Sequence, residues 1–242
     1  MEREYVSWYS PALDKNMEML VFGHQGASIL FFPPRMGRFY DYEDWKIIDA
    51  LQPKIRNGQI QVFCVDSYDL QSFYNHDIPP AEKITNHIRY EHYIVEEVLP
   101  FIRYKNPWTF MISAGCSLGA YHALNFALKY PHLFNKVVGM SGRYDLTSNI
   151  AYYNDLFNGY WDENVYFNMP IQYVPNLPDD HTLKLIRELD IVLAVGKDDV
   201  LLDNNYQMQK SLYEKQAKST LHTWDGQMHR PRAWRQMVDV YL

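Results

Sequence analysis

Short, mostly apolar runs alternate along this chain with longer segments in which apolar residues return every three or four positions. Runs of the first kind lie at residues 27–32 (ASILFF), 61–65 (QVFCV), 109–113, 136–141 (KVVGMS) and 190–196 (DIVLAVG), and the more polar residues 219–224 (STLHTW) read as the last strand. Apolar runs of strand length suit strands buried on both faces, as in a parallel sheet covered by helices. Residues 3–9 and 17–22, joined by a turn at Ser10, Pro11 and residues 14–16, read instead as an antiparallel pair at one edge. Helical periodicity falls at about residues 44–55, 81–104, 118–129, 182–189, 203–215 and 232–241. Eight strands, with helices alternating from the third onward and no repeat or linker, predict one α/β domain over residues 1–242 with helices on both faces of a mostly parallel sheet.

Residues 108–130, WTFMISAGCSLGAYHALNFALKY, carry the densest chemistry. A strand, a sharp turn and a helix follow one another there, and the turn of Gly115, Cys116, Ser117, Leu118 and Gly119 has the pattern G-x-S-x-G. A serine at a strained strand-to-helix turn projects its hydroxyl off the end of the sheet, and the crowded backbone admits only small residues two places to either side. The following helix aims free N–H groups and a positive dipole end at the same point, so the Leu118 amide can meet a developing oxyanion. Ser117 is therefore the candidate nucleophile, against the plainer reading of a serine that merely caps the helix. Cys116, at the x position, would point back into the sheet as core.

Charge and composition narrow the partners. A formal net charge of -6 argues against nucleic acid or an anionic membrane. No apolar run reaches transmembrane length and residues 1–20 lack a signal-peptide core, so the expected compartment is the cytoplasm. The two cysteines, Cys64 and Cys116, both fall in expected core and offer no disulfide framework. Residues 66–80, which include His76 and Asp77, are polar and irregular and are expected to form a surface loop. His87 and His92 stand five apart on a helix, a poor metal spacing, and no metal is expected.

Residues 142–180 are too long for a plain connection between strands. They carry nine aromatic residues, among them Tyr144, Tyr152, Tyr153 and Trp161, and from residue 144 to 183 no Lys or Arg stands against six acids. Such an insertion would cap the strand ends, with a few of its aromatics lining a pocket. Its carboxylates would repel phosphorylated or polyanionic substrates and its tyrosines would favour a small neutral or aromatic one, although Arg35, Arg38 and Arg143 could offset the charge locally.

A serine needs a base, and the base needs an anion to fix its tautomer. In a sheet of this kind both should follow the last two strands. The seventh is followed by KDDVLLDN, with Asp198 and Asp199, and the eighth by WDGQMHRPRAW, with His229 just before a helix. The chain order Ser117, Asp199, His229 fits. Asp199 is favoured over Asp198 because the turn after the strand presents its carboxylate there, and Asp145 is a weaker third choice. His122 and His132 sit on or after the elbow helix and read as structural, His222 lies inside the last strand, and His24 is a turn residue.

With these residues in view, the chain resembles an α/β-hydrolase, and more closely the family of esterases that includes the esterase D-like enzymes. The likeness runs nearly end to end: SPAL and MEMLVFG, GRFYDYEDW, AGCSLGAYHALNFALKYPHLF with SGRYDL after it, VGKDD and WDGQMHRPRAW. It implies hydrolysis of carboxylic esters through an acyl-enzyme, with Ser117, Asp199 and His229 at the matching positions and no metal or organic cofactor. Where related esterases carry His-Gly after the third strand, this chain has Pro33, Pro34, Arg35, Met36 and Gly37. Proline has no N–H, so the second oxyanion donor beside Leu118 is expected to be Met36, with Arg35 close behind. Acyl transfer from the same acyl-enzyme and a non-catalytic interaction protein on the same scaffold remain alternatives. The oligomeric state is left open, a homo-oligomer included.

Overall fold

In the computed structural model, which describes residues 1–242, the apolar runs pair into a single eight-stranded sheet. Its strands are β1 (Arg3–Ser10), β2 (Lys15–Phe22), β3 (Ala27–Phe32), β4 (Ile60–Val65), β5 (Met111–Cys116), β6 (Lys136–Met140), β7 (Asp190–Gly196) and β8 (Ser219–Trp224). Their order is β1-β2-β4-β3-β5-β6-β7-β8. β1 and β2 form the expected antiparallel edge, β2 pairs antiparallel with β4, and all later pairs are parallel.

Alternation along each strand divides the apolar residues between two layers. Leu30, Phe32, Phe63 and Val65 face the larger layer, closed by α3 (Pro80–His92), α4 (Leu99–Lys105), α5 (Leu118–Lys129), α8 (His181–Glu188) and α9 (Leu202–Glu214). Ile29, Phe31, Val62, Cys64, Ala114 and Cys116 face the smaller, closed by α2 (Ile47–Arg56) and α10 (Pro231–Tyr241). The insertion adds α6 (Glu163–Tyr166) and α7 (Pro170–Tyr173), and its Phe157, Val165, Met169 and Tyr173 join the larger layer rather than packing only on one another.

Four expectations are corrected. The strand before the elbow is Met111–Cys116, not residues 109–113, because its pairing with β3 and β6 starts only at Met111 and Ile112. The helix expected at 44–55 is broken: one turn, α1 (Asp41–Asp44), is followed by Lys46, whose φ of 60° reverses the chain before α2 begins. That break lets Tyr42 reach across to the elbow while Ile47, Ile48, Leu51 and Ile55 cover the sheet. The helix expected at 81–104 is continuous but passes through a wider π-helical turn at Tyr93–Val98, directly before Pro100, which cannot donate to the carbonyl four residues back. Residues 66–80 are a surface loop only in their second half, where His76 and Asp77 are exposed. Asp66, Tyr68, Asp69, Ser72 and Phe73 are buried, and Phe73 stacks on His87 with ring centres 4.5 Å apart.

The elbow depends on close backbone contact. A Cβ on Gly115 would stand 2.2 Å from the backbone of Gly119, and one on Gly119 would stand 2.2 Å from the Phe32 carbonyl oxygen at the end of β3. Neither neighbour is a side chain that could swing away. Gly119→Ala should therefore cost at least about 2 kcal/mol by forced overpacking against backbone, read as a lowered midpoint in urea unfolding. An unchanged midpoint would contradict the close approach of α5 to β3.

Candidate active site

β5 delivers Ser117 at φ 57° and ψ −117°, a left-handed backbone that a residue with a Cβ holds only under constraint. The constraint comes from hydrogen bonds on both sides. The Ser117 N–H donates to the Met140 carbonyl at 2.8 Å, and the Cys116 N–H donates to the Tyr42 hydroxyl at 3.0 Å. That hydroxyl in turn donates to the Phe32 carbonyl at 2.6 Å, so one buried Tyr42 oxygen joins the elbow to the end of β3. Ser117 stands at the N-terminus of α5 but makes no capping bond, which sets aside the plain capping role. Cys116 is fully buried in the α2 and α10 layer, and burial pushes its thiol pKa up, leaving a neutral core side chain.

Ser117, His229 and Asp199 come together from three loops at one end of the sheet. Ser117 Oγ lies 2.9 Å from His229 Nε2, and His229 Nδ1 lies 3.1 Å from Asp199 Oδ2. Asp199 is buried and fixed by its own turn: its N–H donates to the Gly196 carbonyl, and its Oδ1 accepts the Leu201 N–H at 3.0 Å. Asp198 is exposed and makes no side-chain bond to His229, while Asp145 is occupied by the Thr147 amide and hydroxyl. The loop that carries His229 folds over the end of β7. A Cβ on Gly196 would stand 2.5 Å from the Gly226 carbonyl, and this close passage brings His229 back to Asp199. Trp234 of α10 supports the ring edge-on, with centroids 5.5 Å apart.

The two expected amide donors stand differently. Leu118, first residue of α5, has an N–H with no acceptor in the protein. The Met36 N–H, by contrast, donates to Asp69 Oδ2 at 2.8 Å, and its φ of 54° turns the peptide toward that carboxylate. The Arg35 N–H is the one left without an acceptor. Asp69 also lies 3.4 Å from His122 Nε2 on α5, so the buried carboxylate ties the 33–37 loop to the elbow helix. The site thus contains residues that pattern reading passed over. Asp69 was hidden in a segment whose polarity suggested surface, although its place after the C-terminal end of β4 was the available signal.

The insertion contributes the roof. The Tyr153 hydroxyl lies 3.2 Å from His229 Nε2, and the buried Arg143 guanidinium stacks on the Tyr153 ring with its carbon 5.2 Å from the centroid. Burial raises the Tyr153 pKa, so its phenol keeps its proton. Beside Tyr153 opens a cavity of about 490 Å³, lined in part by Arg35, Met36, Tyr74, Lys83, Arg143 and Asp155. The expectation that the insertion turns negative charge toward the substrate is therefore corrected. Its carboxylates hold backbone instead: Asp162 caps α6 through the Val165 N–H, Asp180 caps α8 through the Leu183 N–H, and Asp155 accepts from the Phe157 and Gly159 amides. Asp179 pairs with Arg187.

The strand order, the elbow after β5 and the loops after β7 and β8 define an α/β-hydrolase. Within that class the chain belongs to the esterase family described as "Putative esterase", carboxylic ester hydrolases whose family model matches residues 41–236. Among curated proteins none matches the sequence. Solved structures share the fold at low identity. A ferulic acid esterase superposes with a TM-score of 0.76 at 17% identity, covering 100% of this chain and 96% of its own. An S-formylglutathione hydrolase from Agrobacterium tumefaciens gives 0.72 at 13% identity, covering 99% and 92%. The fluorophosphonate-binding serine hydrolase F of Staphylococcus aureus gives 0.65 at 16%, covering 99% and 96%. No helix is long and apolar enough to cross a membrane.

Because a single oxygen of Tyr42 satisfies both the Phe32 carbonyl and the Cys116 amide, Tyr42→Phe leaves two buried backbone groups unpaired. The expected loss is about 1–3 kcal/mol of stability, with a fall in turnover larger than any change in KM. Unfolding curves and steady-state rates check both. A variant as stable and as active as the parent would show that the bridge does not hold the elbow.

Proposed function

We propose that the protein hydrolyses carboxylic esters through an acyl-enzyme formed on Ser117, with His229 as base and Asp199 as its anion. The observation that carries this reading is the hydrogen-bonded row from Ser117 Oγ through His229 to Asp199, at 2.9 Å and 3.1 Å. His229 Nε2 takes the hydroxyl proton as Oγ attacks the ester carbonyl carbon. The carbonyl oxygen becomes negative and needs donors already in place. The Leu118 N–H is one. Of the two amides weighed for the second, Arg35 has the open N–H, while Met36 would have to leave Asp69 first.

Collapse of the tetrahedral intermediate breaks the bond to the alcohol oxygen, which takes the proton from His229. Water then enters, gives a proton to Nε2 and attacks the acyl carbon. The second collapse releases the acid and returns the proton to Oγ. Asp199 stays ionised throughout and stabilises the imidazolium. The Tyr153 phenol lies on the same Nε2 as Ser117 and narrows the approach to it, so a substrate enters from the cavity side.

Ser117→Ala should lower kcat by a factor of about a million, the loss of the group on which the whole relay acts. Hydrolysis of p-nitrophenyl acetate and butyrate by parent and variant measures it, and retention of more than about a tenth of the activity would refute the assignment. Asp199→Asn should cost a factor of about ten thousand by presenting the wrong tautomer of His229, whereas Asp198→Asn, on an exposed side chain, should change rates less than about threefold. A larger loss for Asp198→Asn would move the role to that residue. Products formed with an added alcohol distinguish hydrolysis from acyl transfer.

A further inference from the structure

The cavity beside Tyr153 has an electrostatic imbalance that the reaction itself does not use. Arg143 and Lys83 line it, only 2% and 5% exposed, yet neither forms an ion pair. Arg143 Nε and Nη2 are spent on the backbone carbonyls of Asp145, Ser148 and Asn154, while Nη1 donates to no carbonyl or carboxylate. The Lys83 ammonium has one acceptor, the Leu156 carbonyl at 3.1 Å. Arg35, over the Tyr74 ring, adds a third cation at the cavity mouth. The lining holds one carboxylate, Asp155, and its two oxygens already accept backbone amides.

Buried charges in proteins are ordinarily paired, since removing an ion from water costs several kcal/mol that only a partner returns. Here burial lowers the pKa of both Arg143 and Lys83, and the nearby carboxylates of Asp145 and Asp155 offset it only in part. Two buried cations without a direct ion pair line a cavity of about 490 Å³ that reaches the triad at Tyr153, and they leave counter-charge to the ligand. Tyr74, Tyr152, Tyr153 and Phe73 supply flat apolar walls around the same space.

We propose that the site takes an ester carrying a carboxylate away from the reacting carbonyl, with Arg143 and Lys83 binding that carboxylate and setting specificity. The proposal rests on the serine-esterase reading. One carboxylate matches Nη1 of Arg143, which has only the Tyr74 hydroxyl beside it, and the remaining donors of Lys83.

Two substrate pairs test it, placing the charge in turn on the alcohol and acyl sides. The first is p-acetoxybenzoate against its methyl ester; the second is the p-nitrophenyl monoester of adipic acid against p-nitrophenyl hexanoate. In at least one pair the charged member should show about tenfold higher kcat/KM than its neutral partner, as a charge-assisted hydrogen bond provides. Added salt should shrink that ratio, and Lys83→Gln should bring it close to unity. Lys83 is chosen because replacing Arg143 would also release three backbone carbonyls and unsettle the insertion. Preference for the neutral member in both pairs, or a ratio that Lys83→Gln leaves unchanged, overturns the proposal.

If the wild type cleaves none of these esters, titration of p-hydroxybenzoate and phenyl phosphate into wild type and Lys83→Gln decides the matter. Salt-sensitive binding of p-hydroxybenzoate, weakened about tenfold by Lys83→Gln, sustains the proposal. No binding of it, or binding of phenyl phosphate alone, overturns it. Labelling of Ser117 by a fluorophosphonate judges the serine-esterase reading separately.

Discussion

Ser117 is held in a backbone conformation that no free peptide would choose, and much of the molecule can be understood as the means of holding it. A left-handed residue with a Cβ costs on the order of 1–3 kcal/mol, so the surroundings must over-determine it. They do so at several independent points. Gly115 and Gly119 allow backbone to touch backbone, the Met140 carbonyl fixes the Ser117 amide from β6, and Tyr42 fixes the Cys116 amide from the β3 side. Parallel pairing of β5 with β3 and β6 sets all three in register. The local strain of one residue is thus offset by packing spread over three strands and the first turn of α5.

The same geometry explains how much could be read from the sequence. Strand cores, the elbow and the late positions of Asp199 and His229 are visible because they rest on local patterns: apolar runs, a five-residue turn and the chain order of the last two strands. What escaped depends on contacts distant in sequence. Tyr42 lies in a segment whose helical periodicity looks uniform, and only the left-handed Lys46 breaks it. Asp69 sits in a polar stretch that nothing local marks as buried, yet Phe73 pins that stretch against His87 and its carboxylate satisfies an amide from residue 36. Polarity in a sequence is a weak sign of surface when the polar groups have partners waiting in another loop.

Segment charge is a poor guide for a related reason. Residues 144–183 hold six acids and no Lys or Arg, which by count alone makes an acidic lid. Short helices and tight turns, however, expose amides in numbers, and carboxylates are the strongest acceptors available to them. Asp155, Asp162 and Asp180 meet that need. The cations that face the cavity come from outside that acidic stretch: Lys83 from α3, Arg35 from the loop after β3, and Arg143 from the start of the insertion, just after β6. Net composition of a segment and the field inside the pocket it covers are separate quantities, because the first ignores which groups are already bound.

Asp69 connects the remaining elements. Its carboxylate bonds the Met36 amide and lies against His122 on α5, so the loop after β3 is drawn down toward the elbow and kept there by a charge-assisted hydrogen bond. Two prolines before Arg35 remove donors that would otherwise compete, and they stiffen the approach to it. With Met36 occupied, the open Arg35 amide and the free amide of Leu118 are backbone donors left at the ends of β3 and β5. A loop lacking the His-Gly of related esterases can in this way still present one fixed amide. Replacing glycine's freedom, Pro33 and Pro34 restrict the chain before the turn, and Asp69 restrains it from outside.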